Sequence, residues 1–250
     1  MAGKKAIAVF DSGVGGITVL QEIRRQLPDY SFIYYADLKN VPYGIKSKQE
    51  VLDMTRNALL DMRSDFDIAA AVLACNTATS AAAEQLRLEF NFPIIGMEPA
   101  LKPALKMAGE KKVLVLATAF TLKEEKFKKL IQVLDADGGV ISIAAPGLVQ
   151  LAENGTFSGQ KVEDYLQSLV SGIDINDIGV VVLGCTHFIY FKEAISSVYR
   201  VPTIDGNKGT VKQLRKKLDL EEVGRGEAGF INSGKKSTAS FFQKWLDVPV

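Results

Sequence analysis

The chain has 250 residues, 47% of them hydrophobic, and balances 30 basic against 29 acidic side chains for a net charge of +1. That balance gives no broad basic field for a nucleic-acid partner, and no apolar run approaches the roughly 20 residues of a membrane helix. Two cysteines, a single histidine and no Cys-x-x-Cys argue against a structural zinc site and for two free thiols in a soluble cytoplasmic protein.

The start, MAGKK, is too short for a signal peptide and runs at once into a strand at 6–10 (AIAVF). Helical spacing follows at 17–27, a strand at 31–35, a helix at 46–63, a strand at 69–74, a helix at 77–90 and a strand at 93–96. The scheme then repeats. Strands are predicted at 113–117, 139–144, 179–183 and 201–204, with helices at 121–134, 160–171 and 189–198. A tail adds a helix (208–218), a strand (228–232) and a last helix (236–246), and is expected to pack back on the first half. The lysine-rich runs at 123–129 and 212–217 read as solvated helix faces.

Short apolar strands separated by helices indicate an α/β fold with parallel sheets covered on both faces. The two halves also align with each other. AIAVFDSGVGGITVL at 6–20 matches VLVLATAFTLKEE at 113–125, and AAAVLACNTATSAAAE at 69–84 matches GVVVLGCTHFIYFKEA at 179–194. Asp11 and Cys75 are spaced much as Thr118 and Cys185 are, and each cysteine is followed by a strand that starts at a proline, Pro93 or Pro202. The expected architecture is two similar doubly wound parallel-sheet domains related by pseudo-symmetry. Residues 1–98 plus 207–250 form one and 99–206 the other, with the active site in the cleft between them.

Ligands bind beyond the carboxyl ends of strands in such sheets. The run Asp11-Ser12-Gly13-Val14-Gly15-Gly16 occupies that place after the first strand, but Thr18 breaks the dinucleotide fingerprint. Its glycines suit a small anion, or simply a tight turn. Cys75-Asn76-Thr77 and Cys185-Thr186-His187 each put a thiol where a strand meets the start of a helix, where backbone N–H groups favour thiolate and can hold a carboxylate. A single nucleophilic cysteine would leave the second idle. Two equivalent thiols on opposite faces of one carbon can remove a proton and return one from the other side, which inverts a stereocentre. His187 then serves as relay or pKa tuner for Cys185, and Asp11 could assist Cys75. Glu153, and Asp37 with the turn Asn40-Val41-Pro42-Tyr43-Gly44, flank the same end; the Pro-Tyr-Gly turn either walls a pocket or is only a turn.

Together FDSGVGGITVL, ADLKNVPYGIKS, LACNTATS, PIIGMEPALKPA and LGCTHF resemble the cofactor-independent, two-cysteine glutamate racemase family. The resemblance implies interconversion of L- and D-glutamate, with D-glutamate supplied for peptidoglycan, no pyridoxal phosphate or other cofactor, and a homodimer without nucleic-acid or membrane partners. It implies that Cys75 removes the proton of D-glutamate and Cys185 that of L-glutamate, with Asp11, Glu153 and His187 as supporting ionisable groups. Asp11, Ser12, Asp37, Pro42, Tyr43, Gly44, Asn76, Thr77, Thr118, Thr121, Thr186 and His187 then line the substrate. The chain departs from the family pattern at Ala117, at Ala144-Ala145-Pro146-Gly147 and at Ile189, where the family has proline. Three other readings stay open: a racemase of aspartate or another amino acid, a single-cysteine hydrolase using Cys185 and His187, and an amino-acid-binding module without turnover.

Overall fold

The first strand, β1 (Ala6–Asp11), is buried along its whole length and pairs in parallel on both edges, with β2 (Ser31–Ala36) and β3 (Ile68–Leu73). In the computed structural model, residues 5–134, 138–218 and 226–249 are described; the start of the N-terminal reading, residues 1–4, lies outside them. Helix α1 (Ile17–Gln26) connects β1 to β2, α2 (Lys48–Asp65) connects β2 to β3, and α3 (Asn76–Glu89) leads to β4 (Ile94–Gly96). Local chemistry sets these boundaries. Ser47 and Glu50 form a reciprocal capping box at the start of α2.

The next helix, α4 (Leu101–Ala108), is not among those predicted. Pro103 falls in the first turn, where its missing N–H has no partner to lose. The second series then runs through β5 (Lys112–Ala117), α5 (Ala119–Lys123), α6 (Glu125–Val133), β6 (Val140–Ala144), α7 (Pro146–Glu153), α8 (Gln160–Leu169), β7 (Ile178–Gly184), α9 (Lys192–Tyr199) and β8 (Thr203–Asp205). The single helix expected at 121–134 is two, split where Glu124 turns extended. The helix expected from 189 begins at Lys192, after a tight 3-10 turn over Thr186–Phe191.

In the tail, α10 (Asn207–Lys217) packs on α1, and β9 (Ala228–Asn232) adds to β2 in parallel. The expected helix at 236–246 is corrected. β10 (Lys235–Ser237) turns back on β9 through Ser233 and Gly234, both at positive φ, and the helix begins after it, as a 3-10 turn over Ala239–Phe242 continued by α11 (Gln243–Leu246). A two-residue Ser-Gly loop of that kind is a hairpin signal.

The sheets have the orders β10-β9-β2-β1-β3-β4 and β6-β5-β7-β8. The run β2-β1-β3-β4 and the whole second sheet therefore share one topology. Even an irregularity repeats: the pairing skips one residue, Ala69, between β1 and β3 and one, Gly179, between β5 and β7. The apolar core is not symmetric. One cluster joins both halves, running from Val14, Ile17 and Leu20 to Leu148, Phe188 and Phe191, whereas the opposite faces of the two sheets carry separate clusters. The halves are thus welded on the α1/α7 side and meet by smaller contacts on the α3/α5 side. None of the described helices is long and apolar enough to cross a membrane.

Candidate active site

The carboxyl ends of β1, β3, β5 and β7 converge where the halves meet, and both cysteines lie there. Cys75 is the N-cap of α3 and Cys185 precedes the 3-10 turn after β7; each is only 6% exposed and neither is in a disulfide. Their surroundings differ. Cys75 Sγ donates to Ser12 Oγ at 3.5 Å and accepts the Ala78 N–H at 3.4 Å. Burial pushes this thiol up to about 12, and the charge of Asp11 adds to the effect; the bonds to Ser12 and Ala78 oppose it. The helix start that the sequence offered as a thiolate site is therefore overridden by desolvation, and Cys75 rests as a thiol.

Cys185 Sγ instead faces the ring of His187, 3.7 Å from Nδ1, while His187 Nε2 lies 2.6 Å from Glu153 Oε1. Burial would strip the proton from this imidazole. Its bonds to Cys185 and Glu153, and their charges, outweigh burial and hold it well above the ordinary histidine range. A protonated ring between a carboxylate and a sulfur puts a positive charge beside Cys185. Glu153 ends α7, where a carboxylate faces the negative end of the helix dipole; it is compensated by His187 and by the Val14 N–H, 3.1 Å from Oε1.

Asp11 is fully buried. It accepts from the Gly13 N–H at 2.8 Å and from the Thr186 hydroxyl at 3.0 Å, so it bridges the two halves. Burial raises its carboxyl, and the charge of His187 with those two donors partly offsets the rise. Gly13 and Gly15 make these approaches possible, because a β-carbon on Gly13 would overlap Glu153 Oε1 and one on Gly15 would overlap Thr186 Oγ1.

Across the cleft, Thr77 Oγ1 meets Thr118 Oγ1 at 3.0 Å, and Thr118 Oγ1 meets Thr121 Oγ1 at 3.0 Å while capping α5. Gly44 closes on the Thr118 side chain. Asn76 carries a buried Oδ1 that has no hydrogen-bond partner among the described residues. The Asp37 carboxylate is taken up by the Tyr43 hydroxyl at 2.7 Å and by Asn40 at 2.9 and 3.0 Å, so it holds the turn that carries Pro42, Tyr43 and Gly44. Sequence reasoning missed Val14, whose N–H orients Glu153, and the two phenols that hold its loop, Tyr34 and Tyr190. Nothing in their types announced this, since the contacts are to backbone atoms.

Comparisons with known proteins point to one family. The family model described as Asp/Glu/hydantoin racemase matches residues 14–214. The glutamate racemase of Clostridium acetobutylicum is 48% identical over 219 residues, 87% of this chain and 85% of its own. Among solved structures, glutamate racemase isoform RacE1 from Bacillus anthracis superposes with a TM-score of 0.81 at 29% identity, covering 95% of this chain and 91% of that one. The Escherichia coli glutamate racemase, in complex with L-glutamate and the activator UDP-MurNAc-ala, gives 0.80 at 31% identity over 88% and 84%. The chain belongs to the Asp/Glu/hydantoin racemase family.

Proposed function

We propose that the protein is a glutamate racemase that interconverts L- and D-glutamate with its two cysteines as the acid/base pair and without a cofactor, supplying D-glutamate for peptidoglycan. The observation that carries the reading is the unequal setting of two thiols at equivalent strand ends: Cys75 beside Ser12 and Asp11, Cys185 beside a protonated His187. Racemisation needs one thiolate and one thiol at once, and this asymmetry sets the two sulfurs apart: burial holds Cys75 as a thiol, while a cation faces Cys185.

With L-glutamate bound between the sulfurs, the Cys185 thiolate takes the α-proton and the Cys75 thiol delivers its own proton to the opposite face. The reverse reaction begins with the roles exchanged. The α-proton is weakly acidic, so the carbanion-like transition state requires a dry site with fixed donors on the substrate carboxylates. Ser12, Asn76, Thr77, Thr118, Thr121 and Thr186, with the backbone at Tyr43 and Gly44, are the donors in reach of the cleft. The unpartnered Asn76 Oδ1 suits the substrate ammonium.

The division into 1–98 plus 207–250 and 99–206 is part of the reading. It is supported by strand membership of the two sheets and by the tail strand β9 returning to β2. Substrate enters on the α3/α5 side, where the halves share hydroxyl contacts rather than a common core. The enzyme acts in the cytoplasm as a homodimer, which light scattering of the purified protein tests.

The deciding experiment incubates the protein with D- or L-glutamate in deuterium oxide and follows circular dichroism and α-proton exchange. Inversion with deuterium incorporation is expected from either enantiomer. Folded protein that inverts neither would exclude the reading, and retention of activity in Cys75→Ser would favour the single-cysteine alternative.

A further inference from the structure

Two buried phenols, one from each half, converge on consecutive carbonyls of the loop between β1 and α1. Tyr34, in β2, donates to the Gly13 carbonyl at 2.7 Å, and Tyr190, in the turn after β7, donates to the Val14 carbonyl at 2.8 Å. The Gly13 carbonyl and the Val14 N–H belong to one peptide unit. That peptide is gripped on its oxygen by Tyr34 and donates from its nitrogen to Glu153 Oε1 at 3.1 Å. Glu153 Oε1 then meets His187 Nε2, and His187 Nδ1 faces Cys185. Tyr190 fixes the following peptide, so the orientation of Val14 is set from both sides.

We propose that Tyr34 and Tyr190 are positioning residues: a phenol clamp that keeps the Val14 N–H on Glu153 and, through Glu153, sets the placement of His187 beside Cys185. The proposal rests on the racemase reading for the role of Cys185, but its own subject is the state of His187. Neither phenol has a hydrogen bond to either sulfur. Their rings are held by other contacts, Tyr34 edge-on to Phe230 and Phe242 and Tyr190 against Phe157. Burial keeps both phenols protonated well beyond the ordinary range, so they act as donors throughout the working pH. A donor on a peptide oxygen polarises the unit and strengthens donation from its N–H. The ionisable groups around His187 are Asp11 from β1, Glu153 from α7, Cys185 beside it and, farther off, Cys75 at the start of α3; the two phenols complete the set.

A buried phenol also needs an acceptor simply to be tolerated, and the test must separate that role from the clamp. His187 is the only histidine in the chain, so its imidazole gives one unambiguous set of resonances in protein labelled with nitrogen-15 histidine. Tyr34→Phe and Tyr190→Phe each keep the ring and remove the hydroxyl, with Glu153→Gln as reference. In both tyrosine variants the titration midpoint of His187 is expected to fall by about one pH unit, the size of one weakened hydrogen bond, and by more in Glu153→Gln. A midpoint unmoved in both folded tyrosine variants would overturn the proposal, whatever happens to rate. If Tyr34→Phe does not fold, Tyr190→Phe decides alone. Turnover of wild-type protein is scored separately: an inactive wild type ends the racemase reading, while the imidazole result speaks to the clamp.

Discussion

His187 is held at both ends, by Glu153 Oε1 at 2.6 Å from Nε2 and by Cys185 Sγ at 3.7 Å from Nδ1. Replacing it with asparagine removes the cation beside Cys185. The two enantiomers of glutamate have equal free energy, so kcat/KM must remain equal in the two directions, and a loss of about 10- to 100-fold has to appear in both. The direction shows instead in isotope effects. Deuterium on the α-carbon of L-glutamate is removed in the Cys185 step; on D-glutamate it is removed in the Cys75 step. His187→Asn should therefore raise the primary effect with deuterated L-glutamate and lower it with deuterated D-glutamate, measured by circular dichroism. An unchanged partition between the two would reduce His187 to a wall of the pocket.

The resting charges predict unequal saturation. Burial holds Cys75 as a thiol, the form the L-glutamate direction needs, whereas D-glutamate requires it as a thiolate. A ligand that selects a minor form has its apparent affinity reduced by the population of that form. KM for D-glutamate should exceed that for L-glutamate by about tenfold or more, and kcat from D-glutamate should be higher by the same factor. Initial rates in both directions at one pH check this; equal KM values would contradict the assigned asymmetry.

The repeat was legible because it is written in strand ends: buried strands β3 and β7 each terminate one residue or so before a cysteine, and the topology follows the alignment. The two thiols and His187 could be picked out because both residue types are scarce in the chain. Two other things were hidden. The eight-residue helices α4 and α7 are not among those predicted; each carries proline in its first turn, and a helix breaker and an N-terminal helix residue are the same amino acid. The contact between Glu153 and His187 bridges separate elements, and no local spacing encodes the approach of α7 to the turn after β7. The resting state of Cys75 was also out of reach, because the helix start is local while the burial that outweighs it is tertiary.

Burial of Cys75 has a consequence for alkaline stability. Its folded pKa of about 12 lies above the ordinary thiol value of 9.0. The associated stability is fully present below pH 9 and is lost as pH rises toward 12, because the unfolded chain ionises first. The slope is about 1.4 kcal/mol per pH unit and the total about 4 kcal/mol. Urea denaturation at a series of pH values should show wild type losing stability more steeply than Cys75→Ser over this window. Parallel curves would mean that Cys75 ionises in the folded protein as readily as in the unfolded chain.

Thr118 links the cleft to α5, bonding Thr77 across the halves and capping its own helix. Thr118→Val should cost about 1 kcal/mol through the lost cap. It should also raise KM for both enantiomers by about tenfold through the lost hydroxyl contact. Thr118→Ser keeps the oxygen and should retain most of the affinity. Steady-state kinetics of the pair, with thermal melts, separates the effects; equal KM values in Val and Ser variants would show that the hydroxyl does not serve the substrate.

Gly13 gives the sharpest steric test of the Glu153 position. A β-carbon there overlaps Glu153 Oε1 and also crowds His187 Nε2, so Gly13→Ala must displace the carboxylate or the loop. Displacement breaks the bonds from Glu153 to Val14 and His187 together. The loss of kcat/KM should be about 100-fold or more, since misplacing a catalytic array by a fraction of an ångström is costly. Glu153→Ala removes the clash at its source while losing the same bonds. The double variant Gly13→Ala/Glu153→Ala should therefore be no worse than Glu153→Ala alone, a strongly non-additive cycle. Independent, additive losses would place the damage of Gly13→Ala in the backbone of the loop and not in the seat of Glu153.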